Sequence, residues 1–494
     1  MKPNTDLIPQ LVSRGWTPIA RIRPRTAREI GDSPWSIGLE TIDRAYVDFA
    51  PLAPYVGELG ATQARIQAGW ARCEPKPGAG YDWAWLDEIV DGCLSCGVRP
   101  WLQTAYGNPA YPGGGGIGLA EGLPTSEEAL LAWDRWIGAM TDRYHGKVDT
   151  WEIWNEPDIA KIPPEDYAAF YLRTARVIRN ADPKARLVAL ALALHDERNY
   201  AGKFLQFISE RGGLPLIDEI SFHFYPHNPD DTFATVRSLQ RLCARYDSRI
   251  TLRQGETGSP SECSRFLALG RFDWTERKQA AWNIRRLLAH HARAIPMNLF
   301  QIADMHYEKK HGSLHAGRNP KGQLCIAPDK TVAYKKPAWF AAQHVFSVFD
   351  NTFAPAPATA LDMRRCETTA AWVWTRHGTA KSSFVAWWQA DAPPSMTTPD
   401  LQVGGLEPLP LRDPVLVDFM SGVVFAPAPG IAAGDVTAWD SLPLAETPLA
   451  LAEKDELPLM NSDSSEWLAR RFRASGLAGQ GQGRGCNAQS SQSG

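Results

Sequence analysis

No run of about 18 apolar residues occurs in the chain, so no segment suits a membrane-crossing helix. Excess positive charge is also lacking. The formal net charge is −3 and the isoelectric point is near 6.4, which excludes a generally basic nucleic-acid binder. The basic cluster from Arg21 to Arg28 is local and reads as a solvated face. Cysteine is sparse: 8 residues are scattered over 494 without a disulfide framework. Cys93 and Cys96 form a Cys-x-x-Cys within a helical pattern (Trp85, Leu86, Ile89, Val90, Leu94). With no second pair beside them they read as buried thiols rather than a metal or redox site. The segment Met1–Gln10 lacks a charged stretch leading into an apolar one, as a secretory signal requires. Free thiols without such a signal fit a reducing cytoplasm. Metal-ligand spacing is missing among His223, His227, His306, His311 and His315: there is no His-Glu-x-x-His and no carboxylate triad. Gly113–Gly116 has no strand-to-helix context, so it reads as a loop and not a phosphate cradle.

Aromatic residues are plentiful, with 19 tryptophans and 13 tyrosines. Several lie beside apolar strand candidates, where flat rings can stack on sugar faces. The length exceeds one ordinary domain and fits a large α/β unit plus a smaller one. Strand patterns fall at Ser36–Leu39, Ala64–Ala68, Pro100–Thr104, Thr150–Trp154, Ala185–Ala191, Glu219–Phe224, Ile250–Arg253 and Asn298–Ile302. Helical patterns intervene, as at Ser126–Tyr144, Pro164–Asn180, Pro229–Tyr246 and Glu276–Ala294. Eight such alternations predict a parallel βα architecture. After a helix over Pro337–Phe349 the texture changes to short alternating strands separated by Pro, Gly and Asp turns, as in a β-sandwich. The expected division is an N-terminal segment (1–32) that adds a strand to the β-domain, an α/β unit (33–350), a β-sandwich (351–460) and a disordered Gly/Gln/Ser-rich tail (461–494).

The chemistry concentrates at two strand ends. Val148 to Asp158 contains Trp154-Asn155-Glu156-Pro157, a short apolar strand ending on an Asn-Glu pair and stopped by proline. Ile250 to Gly258 places Glu256 between two glycines after a second short strand. Two glutamates at two strand ends fit the paired-carboxylate chemistry of glycosidic bond cleavage.

Trp154-Asn155-Glu156-Pro157 resembles the acid/base motif of the clan A glycoside hydrolases, and the similarity runs from about Ser33 to about Asp350. It includes Arg65-Ile66-Gln67-Ala68-Gly69-Trp70, Trp101 to Pro109 and Ser221-Phe222-His223-Phe224-Tyr225-Pro226. Within the clan the set is most similar to family 39, known for β-xylosidases. The resemblance implies closure of the eight strands into a (β/α)8 TIM barrel. It also implies that Glu156 is the acid/base and that Glu256 is the nucleophile; an acid protonated near neutrality needs burial or a neighbouring negative charge, which Glu256 can supply.

By the same resemblance Asn155 holds the sugar 2-hydroxyl, Arg65 keeps Glu256 ionised, and Tyr225 and His223 sit beside the pair. Gln67, Trp70, Tyr106, Asn108, Gln301 and Asp304, all near strand ends, are expected to line the sugar subsite, and Glu40 and Glu152 to be structural. The implied function is a retaining, exo-acting β-xylosidase-like enzyme that needs no metal or organic cofactor. Its partner is a glycoside or oligosaccharide, with neither nucleic acid nor membrane involved; self-association into a homo-oligomer is left open. Within the clan a β-galactosidase, β-glucosidase, α-L-arabinofuranosidase or endo-glycanase is the alternative. Outside enzymes the alternative is a carbohydrate-binding barrel.

Overall fold

The structure, a computed structural model, describes residues 7–119, 121–193, 199–264, 268–307, 317–356, 369–377, 382–395, 402–403, 411–427 and 442–460. The expected tail and two of the five histidines, His311 and His315, lie outside these residues.

A short strand β1 (Thr17–Arg21) precedes eight parallel strands: β2 (Trp35–Gly38), β3 (Gln63–Gln67), β4 (Arg99–Thr104), β5 (Thr150–Ile153), β6 (Arg186–Leu192), β7 (Glu219–Phe222), β8 (Thr251–Thr257) and β9 (Met297–Leu299). Each pairs with the next, and β9 pairs with β2, so the sheet closes into a barrel. These strands match the eight expected ones to within a few residues. Their boundaries were readable because both faces of a barrel strand are covered, which yields compact apolar runs. The helices between them carry their own start signals. Ser126 caps Glu127–Arg143 by accepting from the Ala129 amide, Thr275 caps Glu276–His291 through Lys278, and prolines open Pro164–Ala181 and Pro337–Val348.

The barrel interior is unusually charged. On β3, Ala64 and Ile66 alternate with Gln63, Arg65 and Gln67, whose polar groups meet partners on other barrel strands. Near the N-terminal rim Arg253 donates to Glu219 (2.9 Å) and Gln63 (3.0 Å) and lies over the Trp101 ring. One layer higher Arg65 meets Glu152, and Glu152 also accepts from Gln103 and Ser221. Such charges are tolerated in a core only when paired and hydrogen-bonded.

Beyond β9 two small hairpins follow. The first joins β10 (Met305–Tyr307) and β11 (Gly317–Asn319), and the second β12 (Leu324–Ile326) and β13 (Val332–Lys335). Then come β14 (Phe353–Pro355), β15 (Thr369–Arg376), β16 (Ser382–Gln389), β17 (Gln402–Val403), β18 (Pro414–Asp418), β19 (Val423–Ala426), β20 (Leu442–Pro443) and β21 (Leu449–Glu453). A seven-stranded antiparallel sheet runs β1-β19-β18-β21-β16-β15-β14, so the N-terminal strand is its edge. Its residues alternate by face. Phe384, Ala386, Trp388, Val415, Val417, Ala450 and Ala452 join the barrel's core, while Val385, Trp387, Leu416, Leu449 and Leu451 pack with Leu7, Ile8 and Leu11 of the N-terminal helix Leu7–Ser13 and with Trp16 beyond it. At the junction Phe349, just past Pro337–Val348, contacts the rings of Trp374, Phe384 and Phe419.

Candidate active site

Glu256 is the penultimate residue of β8, inside the strand rather than after it. Its Oε1 accepts from the Tyr225 hydroxyl at 2.8 Å, and its Oε2 accepts from Arg65 at 3.0 Å. Arg65 is fully buried and its fork serves several groups. It donates to Glu152 (2.8 Å), Glu40 (2.9 Å), Glu256 and Asn155 Oδ1 (3.0 Å). Burial alone would weaken its hold on the proton. Glu152, Glu40 and Glu256 outweigh that and keep the guanidinium charged. Burial lifts the Glu40 carboxyl well above the usual range, with Arg65 pulling the other way.

Glu156 lies three residues beyond β5. Trp154 and Glu156 both adopt left-handed backbone (φ 66° and 45°), a conformation costly for such residues. Packing holds the turn in place: the Trp154 ring contacts Trp133, Phe170 and Tyr106. Glu156 Oε1 is 3.0 Å from His223 Nδ1. The carboxyl is pushed up to about 8, first by burial and next by the charge of Asp158, with Arg65 opposing. Loss of solvent first and the charge of Asp158 next favour the protonated form of Glu156.

His223 links the pair. Its Nε2 is 3.3 Å from an Arg65 N–H, which can only donate, so Nε2 accepts and Nδ1 carries the proton. That proton faces Glu156 at 3.0 Å and Glu256 Oε2 at 3.5 Å. Burial lowers the ring to about 4, which keeps it neutral. One donor atom each from Glu156, His223 and Glu256 lies within 4.8 Å of the others. A cation would fit that spacing. However, a guanidinium already sits on Glu256 Oε2 and His223 Nδ1 carries a proton, so the set suits proton transfer better than metal ligation.

The remaining expected residues divide. Asn155 and Tyr106 are at the pair: Asn155 Nδ2 donates to the Tyr106 hydroxyl at 2.9 Å, and Gln103 and Arg65 fix its Oδ1. Gln301 points its Nε2 at Ala303 O (2.9 Å) and leaves Oε1 buried without a partner. Others expected to face the sugar have their polar groups engaged by the protein. Gln67 accepts from Thr41 and Arg44 and donates to Gln103. The Trp70 indole donates to Glu74 and its ring stacks on Tyr111 and Trp136, so it is core. Asn108 braces its own loop through Glu74 O and the Ala110 amide. Asp304, fully buried, accepts from Lys336, Arg318 and the Gly322 amide. Glu40 and Glu152, expected to be merely structural, are direct partners of Arg65. Gln103, Arg44 and Tyr307 were missed as neighbours. Strand alternation could have found Gln103, but nothing local marks the other two.

Residues 64–252 match the family model described as glycosyl hydrolases family 39. A β-xylosidase of Geobacillus stearothermophilus is 27% identical over 194 residues, a match covering 33% of this chain and 38% of that protein. Among solved structures, a family 39 glycoside hydrolase from Bacteroides cellulosilyticus WH2 superposes with a TM-score of 0.62 at 18% identity, covering 86% of this chain and 81% of that one. A monomeric β-xylosidase from Caulobacter crescentus CB15 gives 0.55 at 17%, covering 87% and 97%. At these identities the structural matches speak to the fold.

Proposed function

We propose that the chain, whose residues 64–252 match the family 39 glycosyl hydrolase model, is a retaining β-glycosidase that releases terminal xylose or a related sugar. The observation carrying this reading is the carboxylate pair, with oxygens of Glu156 and Glu256 within 4.8 Å of one another. Retention requires separations near 5 Å, so that one carboxylate reaches the anomeric carbon directly. Inversion needs room for an intervening water.

The two glutamates are chemically identical and differently surrounded. Glu256, held by Arg65 and Tyr225, is the nucleophile and attacks the anomeric carbon. Glu156, protonated up to about pH 8, gives its proton to the departing glycosidic oxygen. The glycosyl-enzyme is then broken by water, from which Glu156 removes a proton, and the net configuration is kept. The Nδ1 proton of neutral His223 steadies whichever carboxylate is ionised at each stage. Asn155 is placed to meet the sugar 2-hydroxyl, a contact that strengthens in the transition state. The relatives named β-xylosidases support xylosides as the first substrates to try. A panel of nitrophenyl glycosides tests this, with proton NMR of the first-formed sugar. Release of β-xylose from the β-xyloside supports the reading. Release of α-xylose contradicts the mechanism, and no turnover across the panel contradicts the activity.

A further inference from the structure

Lys321 stands just beyond β11, on the segment that returns from the hairpin following barrel strand β9. It is 2% exposed. Its ammonium lies 5.7 Å from the centre of the Tyr225 ring, whose hydroxyl holds Glu256. Among the described residues that ammonium has neither a hydrogen-bond partner nor an ion pair. It feels Glu256 only as a charge at a distance, and burial lowers it to about 7. A largely buried ammonium without a partner among the described residues is costly, so a fold that retains one has something for it to meet.

The backbone on both sides is fixed. Pro320 O accepts from the Ser261 amide (3.0 Å) and from Lys336 Nζ (3.3 Å). The Gly322 amide donates to Asp304 Oδ1 (3.0 Å), and a Cβ at Gly322 would run into the backbone of Ala303 and Asp304. Asp304 is in turn held by Lys336 and Arg318. This buried network therefore presents one side chain rigidly while leaving its charged end unmatched.

A second unmatched atom lies two residues away. Asn319 is buried, its Nδ2 reaches the Tyr307 hydroxyl at 3.4 Å, and its Oδ1 has no partner. The Tyr307 ring meets Tyr46 edge-on, and Arg44 lies over both Tyr46 and Tyr106, whose hydroxyl accepts from Asn155, which puts Tyr307 by the same cleft. One open donor and one open acceptor suit a group that both accepts and donates. A sugar hydroxyl does so; a carboxylate only accepts.

We propose that Lys321 and Asn319 form a specificity contact of the glycone subsite, in which Lys321 Nζ donates to, and Asn319 Oδ1 accepts from, hydroxyls of a neutral pyranose. This deepens the glycosidase reading and rests on it. A subsite with an unmet buried donor and acceptor discriminates strongly against an analogue lacking the matching hydroxyl.

The test compares wild type with Lys321→Met and Asn319→Ala on 4-nitrophenyl β-xyloside and its 2-, 3- and 4-deoxy analogues. Lys321→Met removes a buried unpaired charge and keeps the aliphatic stem, so thermal melting should show it folded. On the full glycoside kcat/KM should fall about 10–100-fold for Lys321→Met, the range for a lost charged hydrogen bond, and less for Asn319→Ala. On one deoxy analogue wild type and Lys321→Met should become nearly equal. The same ratio on every analogue, an unchanged kcat/KM, or a preference for aryl uronides that vanishes with Lys321 would each overturn the proposal. If no aryl glycoside is turned over, the glycosidase reading fails and calorimetry with free xylose decides this one separately. Binding at least tenfold weaker to Lys321→Met upholds the subsite, and equal binding or none overturns it.

Discussion

At Glu156 the mechanism and the stability of the protein pull in opposite directions. Burial raises this carboxyl from an ordinary 4.5 to about 8, so the native state prefers it protonated. The associated stability is fully present below about pH 4.5 and is lost as pH rises through 8. Glu156→Gln, which cannot ionise, should match wild type in melting temperature at pH 4.5. It should become more stable by a few degrees as pH rises toward 8, with the gap levelling above that. A constant gap across the titration would show that the carboxyl is not shifted. On substrates with poor leaving groups the wild-type rate should fall above about pH 8, where the acid is lost. Arg65 is the second telling residue. A lysine offers one compact charge where the fork meets Glu40, Glu152 and Glu256. Arg65→Lys should therefore lower both melting temperature and kcat. Leaving a buried carboxylate without its partner costs about 3–5 kcal/mol, and a variant of wild-type stability would show the three carboxylates to be independent of this cation.

Among elements, the loop that follows β7 joins catalysis to the antiparallel sheet. Tyr225 lies at its start, and beyond it Asn228 donates to Ala390 O (2.8 Å) while Asp230 accepts from the Trp388 indole (2.9 Å). Arg285 of the helix Glu276–His291 ties Asp230 and Ala392 together. Trp388→Phe keeps the ring's packing and deletes the N–H. A loss of about 1–3 kcal/mol is expected from the acceptor left short, read in urea denaturation, with kcat falling more than KM rises because Tyr225 loses its backing. An unchanged kcat would mean that the sheet does not steady this loop. Elements are the scale most legible in the sequence. Barrel strands announce themselves as apolar runs, and helices by caps such as Ser126 and Thr275. The β10–β11 hairpin was invisible because its strands are three residues each, with no alternation to read.

For the whole molecule, the proposed pairing of Glu156 and Glu256 was legible because one follows and the other lies near the end of a short apolar strand within a recognisable motif. Their surroundings were not. Trp70 and Asn108 carried the right chemistry at the right strand ends, yet Glu74 accepts from the Trp70 indole and from the Asn108 amide, whose oxygen in turn serves Ala110. Asp304 was expected at the sugar and instead anchors the segment bearing Lys321. Such assignments depend on which partners a closed barrel brings together from distant segments, as with Arg65 and Glu256, 191 residues apart. The placement of unlike roles on two like side chains remains the central claim, and chemical rescue of the two alanine variants with azide tests it most directly. Glu256→Ala lacks the nucleophile. On a 4-nitrophenyl β-glycoside it should be nearly inactive, and azide should restore turnover with the α-glycosyl azide as product. Glu156→Ala should still form the glycosyl-enzyme from this good leaving group, and azide should give the β-glycosyl azide. Exchanged anomers would reverse the two roles, and no azide adduct from either variant would mean that neither glutamate does this chemistry.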